Sequence, residues 1–407
     1  MRFLQQYKNL SREIYILFFG RIVTSMGSLI WPIMTLILKN KLGYSATTIA
    51  TISMVMGIVQ LPAVLLGGKV ADALNRKWVI ICCDMVTVIC FFISGIIPLS
   101  FISVVLFYVA GVFATIEGPS YDAIVADLSD GDSREHAYSL QYLGGNLGLV
   151  LAPTLGGLLF KHYLWLAFII TSLATFSSTV LIFLFVKRLQ VDKKHVSEYE
   201  EKKEGVKLWE VLKERKTFFL YFIATGFAGL VYSQFNYLLP LNMENLYGAD
   251  GATWFGMMTS INGFVVVVGT PLITAVFGSI KDVRKMVIGE TLIVAGLFSC
   301  SFAGRMIPLY FLFMTVFTLG EIFNVLGGSP YMTRRIPSTH WGRVNSILMI
   351  FNGGFSAIGN LVVGKLVDTK GFTVAWEMIG VVGALAIGIV FLLALVDKKQ
   401  FRLLYEK

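Results

Sequence analysis

Charge is scarce in this chain. Asp, Glu, Lys and Arg make up 14% of its 407 residues, and 56% are hydrophobic. A water-soluble domain carries about 25% charged residues, so that class is excluded, and the mean hydropathy of +0.73 points the same way. Alternation of polar and apolar residues is also missing. Apolar runs recur about every 30 residues, which excludes an outer-membrane barrel and implies spanning helices. Cysteine is limited to Cys82, Cys83, Cys90 and Cys300, all within predicted spans, so they read as small buried hydrophobes and not as a disulfide or metal framework. His136, His162, His195 and His340 fall at scattered loop positions without metal-ligand spacing. No Gly-x-x-x-x-Gly-Lys-(Ser/Thr) phosphate loop is present, which argues against ATP as the energy source. Nor does any nucleophile–base pair stand out; the chain reads as no enzyme and as needing no cofactor.

The formal charge of +9 does not mark a nucleic-acid partner, because the cations sit between apolar runs and form no single patch. Most fall on one side of a twelve-helix arrangement, the positive-inside bias that places both termini in the cytoplasm of a cell-membrane protein. Arg2, Lys8 and Arg12 precede an apolar run that lacks a small-residue cleavage site, so this run is expected to remain as the first helix. Hydropathy predicts spans near 14–38, 46–71, 78–99, 101–125, 137–160 and 163–186, then 217–242, 252–277, 284–303, 308–332, 343–367 and 372–396. The charge-dense stretch Lys187 to Lys216 reads as a cytoplasmic linker with a surface helix around Val206–Leu212. The expected domains are therefore 1–186, a linker at 187–216, and 217–407.

Internal similarity favours duplication. Arg76-Lys77 before Trp78-Val79-Ile80 recurs as Arg284-Lys285 before Met286-Val287-Ile288; Pro119-Ser120-Tyr121 recurs as Ser329-Pro330-Tyr331; and Ser139 to Gly157 has a counterpart in Ser346 to Gly364. The fold class is an all-α membrane protein with twelve transmembrane helices in two pseudo-symmetric six-helix bundles.

Between two nearly uncharged runs lies the turn Gly67-Gly68-Lys69-Val70-Ala71-Asp72-Ala73-Leu74-Asn75-Arg76-Lys77. Gly68, Asp72, Arg76 and Lys77 match the helix 2–3 loop of major facilitator superfamily transporters, Gly-x-x-x-Asp-(Arg/Lys)-x-Gly-(Arg/Lys)-(Arg/Lys), with Ala73 and Asn75 departing from it. The resemblance covers the whole chain and implies two halves flanking a substrate path. It also implies a cytoplasmic gate, in which Asp72 meets the helix beginning near Arg343 and Arg76 or Lys77 bridges to Asp127. The alternative is that these charges only anchor loops. The second copy has Ile280 where the Asp would stand. In the fifth span, Gly148, Pro153, Gly156 and Gly157 resemble the Gly-x-x-x-Gly-Pro-x-x-Gly-Gly element of the drug/proton antiporter branch, with Ala152 for one Gly. Generic small-residue helix packing is the alternative.

Even low estimates put about 2.5–3.5 kcal/mol on a charge at the bilayer centre, so ionisable residues within spans are the next guide. Glu117 and Glu321 lie well inside the fourth and tenth spans. Thr318-Leu319-Gly320-Glu321-Ile322 resembles the acidic tenth-helix motif of multidrug antiporters and of some proton-coupled peptide carriers, which makes Glu321 the first candidate for proton coupling and Glu117 the second. Arg21, in the first span, either snorkels to the headgroups or pairs with Glu117. The fourth span has no Arg where much of the antiporter branch carries one. Asp84 and Glu290, nearer the helix ends, read as partners of loop cations.

For a substrate, Gln234, Asn236 and Tyr237 stand in a stretch similar to the outer part of helix 7 in multidrug antiporters, and Tyr142, Asn146, Asn262, Asn324 and Asn352 add neutral polar groups near mid-depth. With 32 Phe and 15 Met, deformable walls for a lipophilic guest are available. The resemblance implies a monomeric, proton-coupled exporter of lipophilic or cationic small molecules. The alternatives are a proton-coupled symporter for a nutrient or small metabolite, and a non-transporting sensor or scaffold.

Overall fold

A computed structural model describes residue 7 and residues 10–129, 131–186, 208–215, 217–336 and 341–402. The first half holds α1 (Arg12–Gly27), α2 (Ile30–Leu36) closed by a π turn (Ile37–Lys41), α3 (Ala46–Ala73), α4 (Arg76–Ile96), α5 (Phe101–Asp127), α6 (Gly131–Leu149), α7 (Ala152–Phe160) and α8 (Leu164–Phe185). The short α9 (Leu208–Glu214) follows, then α10 (Thr217–Ser233), α11 (Leu238–Tyr247), α12 (Gly251–Phe277), α13 (Asp282–Ser299), α14 (Ile307–Thr333), α15 (Trp341–Lys370) and α16 (Phe372–Gln400). Among the described residues, eleven stretches are long and apolar enough to cross a membrane. One of them, Thr217–Phe277, runs for 61 residues, about 90 Å of helix at 1.5 Å per residue. That is ample for two crossings of a roughly 30 Å core, which recovers the twelve spans expected. Helix is what an apolar solvent demands, because each backbone N–H and C=O must be satisfied within its own segment. Side chains such as Leu272, Val276, Val381 and Leu392 are exposed, as lipid contact requires.

Contacts divide the chain into two compact units. The first comprises Met1–Tyr44, Ile52–Lys194 and Met243–Val267; the second comprises Ser45–Thr51, His195–Asn242 and Val268–Lys407. Their internal pairing is the same. In the first unit α4 packs on α5 and α8, and α1 packs on α8 and α6; in the second α13 packs on α14 and α16, and α10 packs on α16 and α15. Thus the third helix of each set lies on the fourth and sixth, and the first lies on the fifth and sixth, as a duplicated ancestor would leave them.

The assignment of Ser45–Thr51 to the second unit has a direct cause. The carboxylate of Asp368, near the end of α15, accepts the backbone N–H groups of Ala46 (3.1 Å) and Thr47 (2.9 Å) and the Thr47 hydroxyl (2.7 Å). It therefore caps α3, satisfying orphan donors and facing the positive end of the helix dipole.

Small residues set the closest approaches. The fifth span breaks at Val150–Leu151 into α6 and α7, at the Gly- and Pro-rich stretch where the sequence implies a bend. A Cβ added to Gly148 would fall 2.4 Å from the Ser25 side chain, one on Gly156 2.4 Å from the Leu29 carbonyl oxygen, and one on Gly157 2.4 Å from that of Ala252. The Pro153 carbonyl would meet a Cβ on Gly256 at 2.2 Å. Gly148, Gly156 and Gly157 of the motif, with Gly256 facing Pro153, thus let backbones of α1, the α1–α2 break and α12 approach within the first unit. We expect Gly157→Leu to lower the thermal unfolding midpoint of the purified protein, by overpacking worth about 1–3 kcal/mol. Gly388→Ala, where an added Cβ meets nothing within 4 Å, should leave the midpoint unchanged or raised.

Candidate functional site

Each unit carries a cavity of its own. That of the first unit is about 650 Å³ and gathers Arg21, Asp84, Glu117, Gln141, Tyr142 and Asn146. Asp84 is 7% exposed; its Oδ2 accepts the Thr179 hydroxyl at 2.7 Å, and Glu117 lines the same cavity. Among the described residues no Arg21–Glu117 ion pair forms within 4.0 Å; the Arg21 guanidinium instead lies 5.6 Å from the centre of the Tyr121 ring. Arg21 and Glu117 share the cavity. Asp84 faces that cavity and bonds to Thr179, not to a loop cation, contrary to the reading of its position along the helix. Asn146 donates to the Tyr142 carbonyl one turn earlier (2.9 Å).

The cavity of the second unit is about 590 Å³ and brings together Tyr232, Glu290, Glu321, Asn324 and Asn352 between apolar walls that include Met286 and Met349. The Tyr232 hydroxyl donates to Glu321 Oε1 at 2.8 Å, and the Tyr232 ring stacks on Phe317 at 5.4 Å. Asn324 Nδ2 donates to Glu290 Oε2 at 3.2 Å. Glu321 and Asn324 are three residues apart on α14 and so lie on one face. Glu290, also expected to serve a loop cation, faces this cavity instead. Among the described residues lining it there is no Lys, Arg or His.

The remaining substrate candidates lie elsewhere. Gln234 is fully buried in the break between α10 and α11, where its amide donates to the Leu230 carbonyl, Ser233 Oγ and Asn360 Oδ1. The Tyr237 hydroxyl donates to the Ala46 carbonyl at 2.5 Å. Both hold the fold. Asn236 is exposed and Asn262 half-buried, and neither lines either cavity. Cys83, Cys90 and Cys300 are buried as expected, whereas Cys82 is exposed.

At the expected gate, Arg76 pairs with Asp127 and also donates to the Ala71 carbonyl (3.2 Å). Lys77 caps the end of α8, donating to the carbonyls of Phe183 (2.8 Å) and Val186 (2.5 Å). An added Cβ at Gly68 would meet nothing within 4 Å, so packing does not demand glycine there. The side chains of Asp72 and Arg343 lie outside the described residues.

The second half holds a charge cluster that the sequence reading missed. Arg335, 3% exposed, makes two bonds of 2.8 Å to Asp397, which is 0% exposed, and reaches Asp282 at 3.4 Å; Arg334 pairs with Asp282 at 3.0 Å. The cluster ties α13, the end of α14 and α16 together. Its only local signal was the repeat of Arg76-Lys77 at Arg284-Lys285, which places Asp282 at an equivalent helix start.

A helical membrane protein with paired helix sets and an acid-lined cavity in each fits the architecture of a solute carrier. The Major Facilitator Superfamily model matches residues 17–327, and the chain belongs to that superfamily; it is a membrane transporter and not an enzyme. It is 22% identical over 372 residues to the uncharacterised MFS-type transporter YttB of Bacillus subtilis (strain 168), covering 88% of this chain and 89% of that one. It is also 22% identical over 317 residues to a Na(+), Li(+), K(+)/H(+) antiporter of Planococcus maritimus, covering 70% and 73%. The fold is shared with a POT family transporter crystallised with a thioalcohol-conjugated peptide, at TM-score 0.78 and 16% identity over 96% of this chain and 97% of that one.

Removing one member of the buried pair, as in Arg335→Ala, strands a charge and should cost about 3–5 kcal/mol. Arg76→Ala, at a more solvated pair, should cost about 1 kcal/mol or less. Thermal unfolding of the two purified variants measures the difference, and Arg335→Met combined with Asp397→Leu is expected to recover much of the first loss.

Proposed function

We propose that the protein is a proton-coupled exporter of lipophilic or cationic compounds, of the drug/proton antiporter branch, working as a monomer in the cell membrane by alternating access, with both termini in the cytoplasm. The observation that carries this reading is the cavity of the second unit. Its volume is in the range that takes drug-sized guests. Its walls are largely apolar and include thioether and aromatic groups, and Glu321 is held in it by the Tyr232 hydroxyl. An acid at such depth is costly when charged, and either a proton or a cationic guest compensates it. Exchange of one for the other couples the two fluxes. The relative from Planococcus maritimus, named as an antiporter of alkali cations and protons, supports a proton-exchanging mode.

The second reading, proton-coupled uptake of a nutrient or small metabolite, draws on the first unit. There Arg21, the Asp84–Glu117 pair and the Gln141 amide offer both signs of charge and neutral donors, a lining suited to a polar, zwitterionic solute.

Reconstituted liposomes decide between them. A pH gradient should drive movement of a fluorescent lipophilic cation, and Glu321→Gln should slow it at least about tenfold, the loss expected when a group essential to a coupled step is removed. Unchanged gradient-driven movement in Glu321→Gln would refute the coupling assignment. Gradient-driven accumulation of labelled zwitterions without cation movement would select the second reading.

A further inference from the structure

A surface of the second unit, away from its cavity, has a build that cargo handling does not account for. α9, with 7 residues, is too short to span a bilayer and is fastened to the unit by one side. Leu212 is 3% exposed and packs in the core with Phe218, Val390 and Leu393. The other side carries Trp209, 56% exposed, whose ring meets that of Phe219 edge-on at 5.6 Å. Lys213 follows one turn later, with its ammonium 5.8 Å from the centre of the Trp209 ring. Phe219 belongs to the first turn of a spanning helix, α10, and is itself exposed, so the aromatic pair marks the boundary between hydrocarbon and headgroups, where tryptophan settles. The last turn of α16 arrives at the same place. Gln400 Oε1 accepts the Thr217 N–H at 3.1 Å, and the exposed Lys398 and Lys399 precede it. Asp397, the acid beside them, is taken by Arg335. Among the described residues Lys213, Lys398 and Lys399 form no ion pair within 4.0 Å. Their three ammonium groups stand against one exposed carboxylate, that of Glu210. In the first unit the equivalent helix end, that of α8, is closed instead by Lys77, whose ammonium is spent on the Phe183 and Val186 carbonyls.

We propose that this face, formed by α9, the start of α10 and the end of α16, is a docking site for an anionic phospholipid. The headgroup phosphate meets Lys213, Lys398 and Lys399, and the acyl chains lie on Trp209 and Phe219. Charge selects against a zwitterionic lipid, whose own cation would be brought up to three lysines. The aromatic pair selects against a soluble anion, which has no apolar surface to lay on it, whereas each methylene of an acyl chain buried there adds to binding. The site does not depend on which cargo the cavities take.

The test uses the purified full-length protein in detergent, titrated with dioleoylphosphatidylglycerol or dioleoylphosphatidylcholine, the bound lipid being read by native mass spectrometry. A lysine near the surface strengthens the binding of an anionic headgroup about fivefold, so the wild type is expected to prefer the glycerol lipid by about a hundredfold. Replacing Lys213, Lys398 and Lys399 together by Gln should remove the preference, and replacing them by Arg should keep it. Lys370→Gln, at an exposed lysine outside this face, should change nothing. Trp209→Ala should weaken both lipids alike. An unchanged thermal unfolding midpoint without lipid reports that the triple Gln variant is folded. Equal binding of the two lipids by the wild type overturns the proposal and needs no variant. A preference that survives the triple Gln change overturns it as well. Displacement of the lipid by glycerol phosphate or by polyglutamate at equal concentration also overturns it, the first in favour of a free-anion site and the second of an acidic protein partner.

Discussion

The hydrocarbon core offers no hydrogen bonds, and the rest of the structure follows from that lack. Backbone groups are satisfied by winding into helices. Hydroxyl side chains are satisfied by bonding back one turn, as Thr115, Thr171, Thr175, Thr225 and Thr318 each do to the carbonyl four residues earlier. A hydroxyl in a span is thus self-contained and says little about function. Carboxyl, guanidinium and amide groups cannot all close on their own helix. They must find partners across helices or face a cavity, so the few present mark where helices are pinned and where solutes are met.

The pinning contacts show how the two halves have diverged. At the start of α4 a cation, Arg76, meets an acid, Asp127, at the end of α5. At the start of α13 an acid, Asp282, meets cations, Arg334 and Arg335, at the end of α14. The same pair of helix ends is joined in both halves with the signs reversed. Reversal keeps the attraction but changes the neighbours each pair recruits. In the second half Arg335 is free to take Asp397 from α16 through both ends of its guanidinium, a planar fork that Lys77, capping carbonyls at the end of α8, does not provide. The loss of the Asp at Ile280 is thereby accompanied by a different and more deeply buried clamp.

Much of the fold was legible because hydropathy is a one-dimensional signal. The spans expected at 46–71 and 101–125 became helices over 46–73 and 101–127, and the repeat seen in Arg76-Lys77 and Arg284-Lys285 reappears as identical helix pairing. The site was less legible, since depth along a helix does not tell which way a side chain faces. Asp84 and Glu290 were read by depth and assigned to loop cations, yet both turn into cavities. Glu321, Asn324 and Asn352 were read by depth and do line one. Gln234 and Tyr237 were read by resemblance, but a break in the seventh span consumes their hydrogen bonds. Nothing local in the sequence foretold that break, because Ser233 to Tyr237 contains neither Gly nor Pro. The partners of Arg335 and Asp368 are distant in the chain, and no periodicity carries such information.

One parallel between the halves bears on how labour is divided between them. In each, an acid on the third helix lines a cavity together with a polar residue of the fourth: Asp84 with Glu117, and Glu290 with Asn324, whose amide donates to it. Where the neighbour is a second acid, Arg21 stands in the same cavity as a fixed positive charge. Where it is an amide, no Lys, Arg or His is among the described residues that line the wall. Glu117 and Asn324 do not occupy equivalent positions, because the repeat that matches Tyr121 with Tyr331 sets Glu117 against Gly327. The two cavities therefore acquired their polar linings separately after duplication, while the helix pairing that surrounds them was kept.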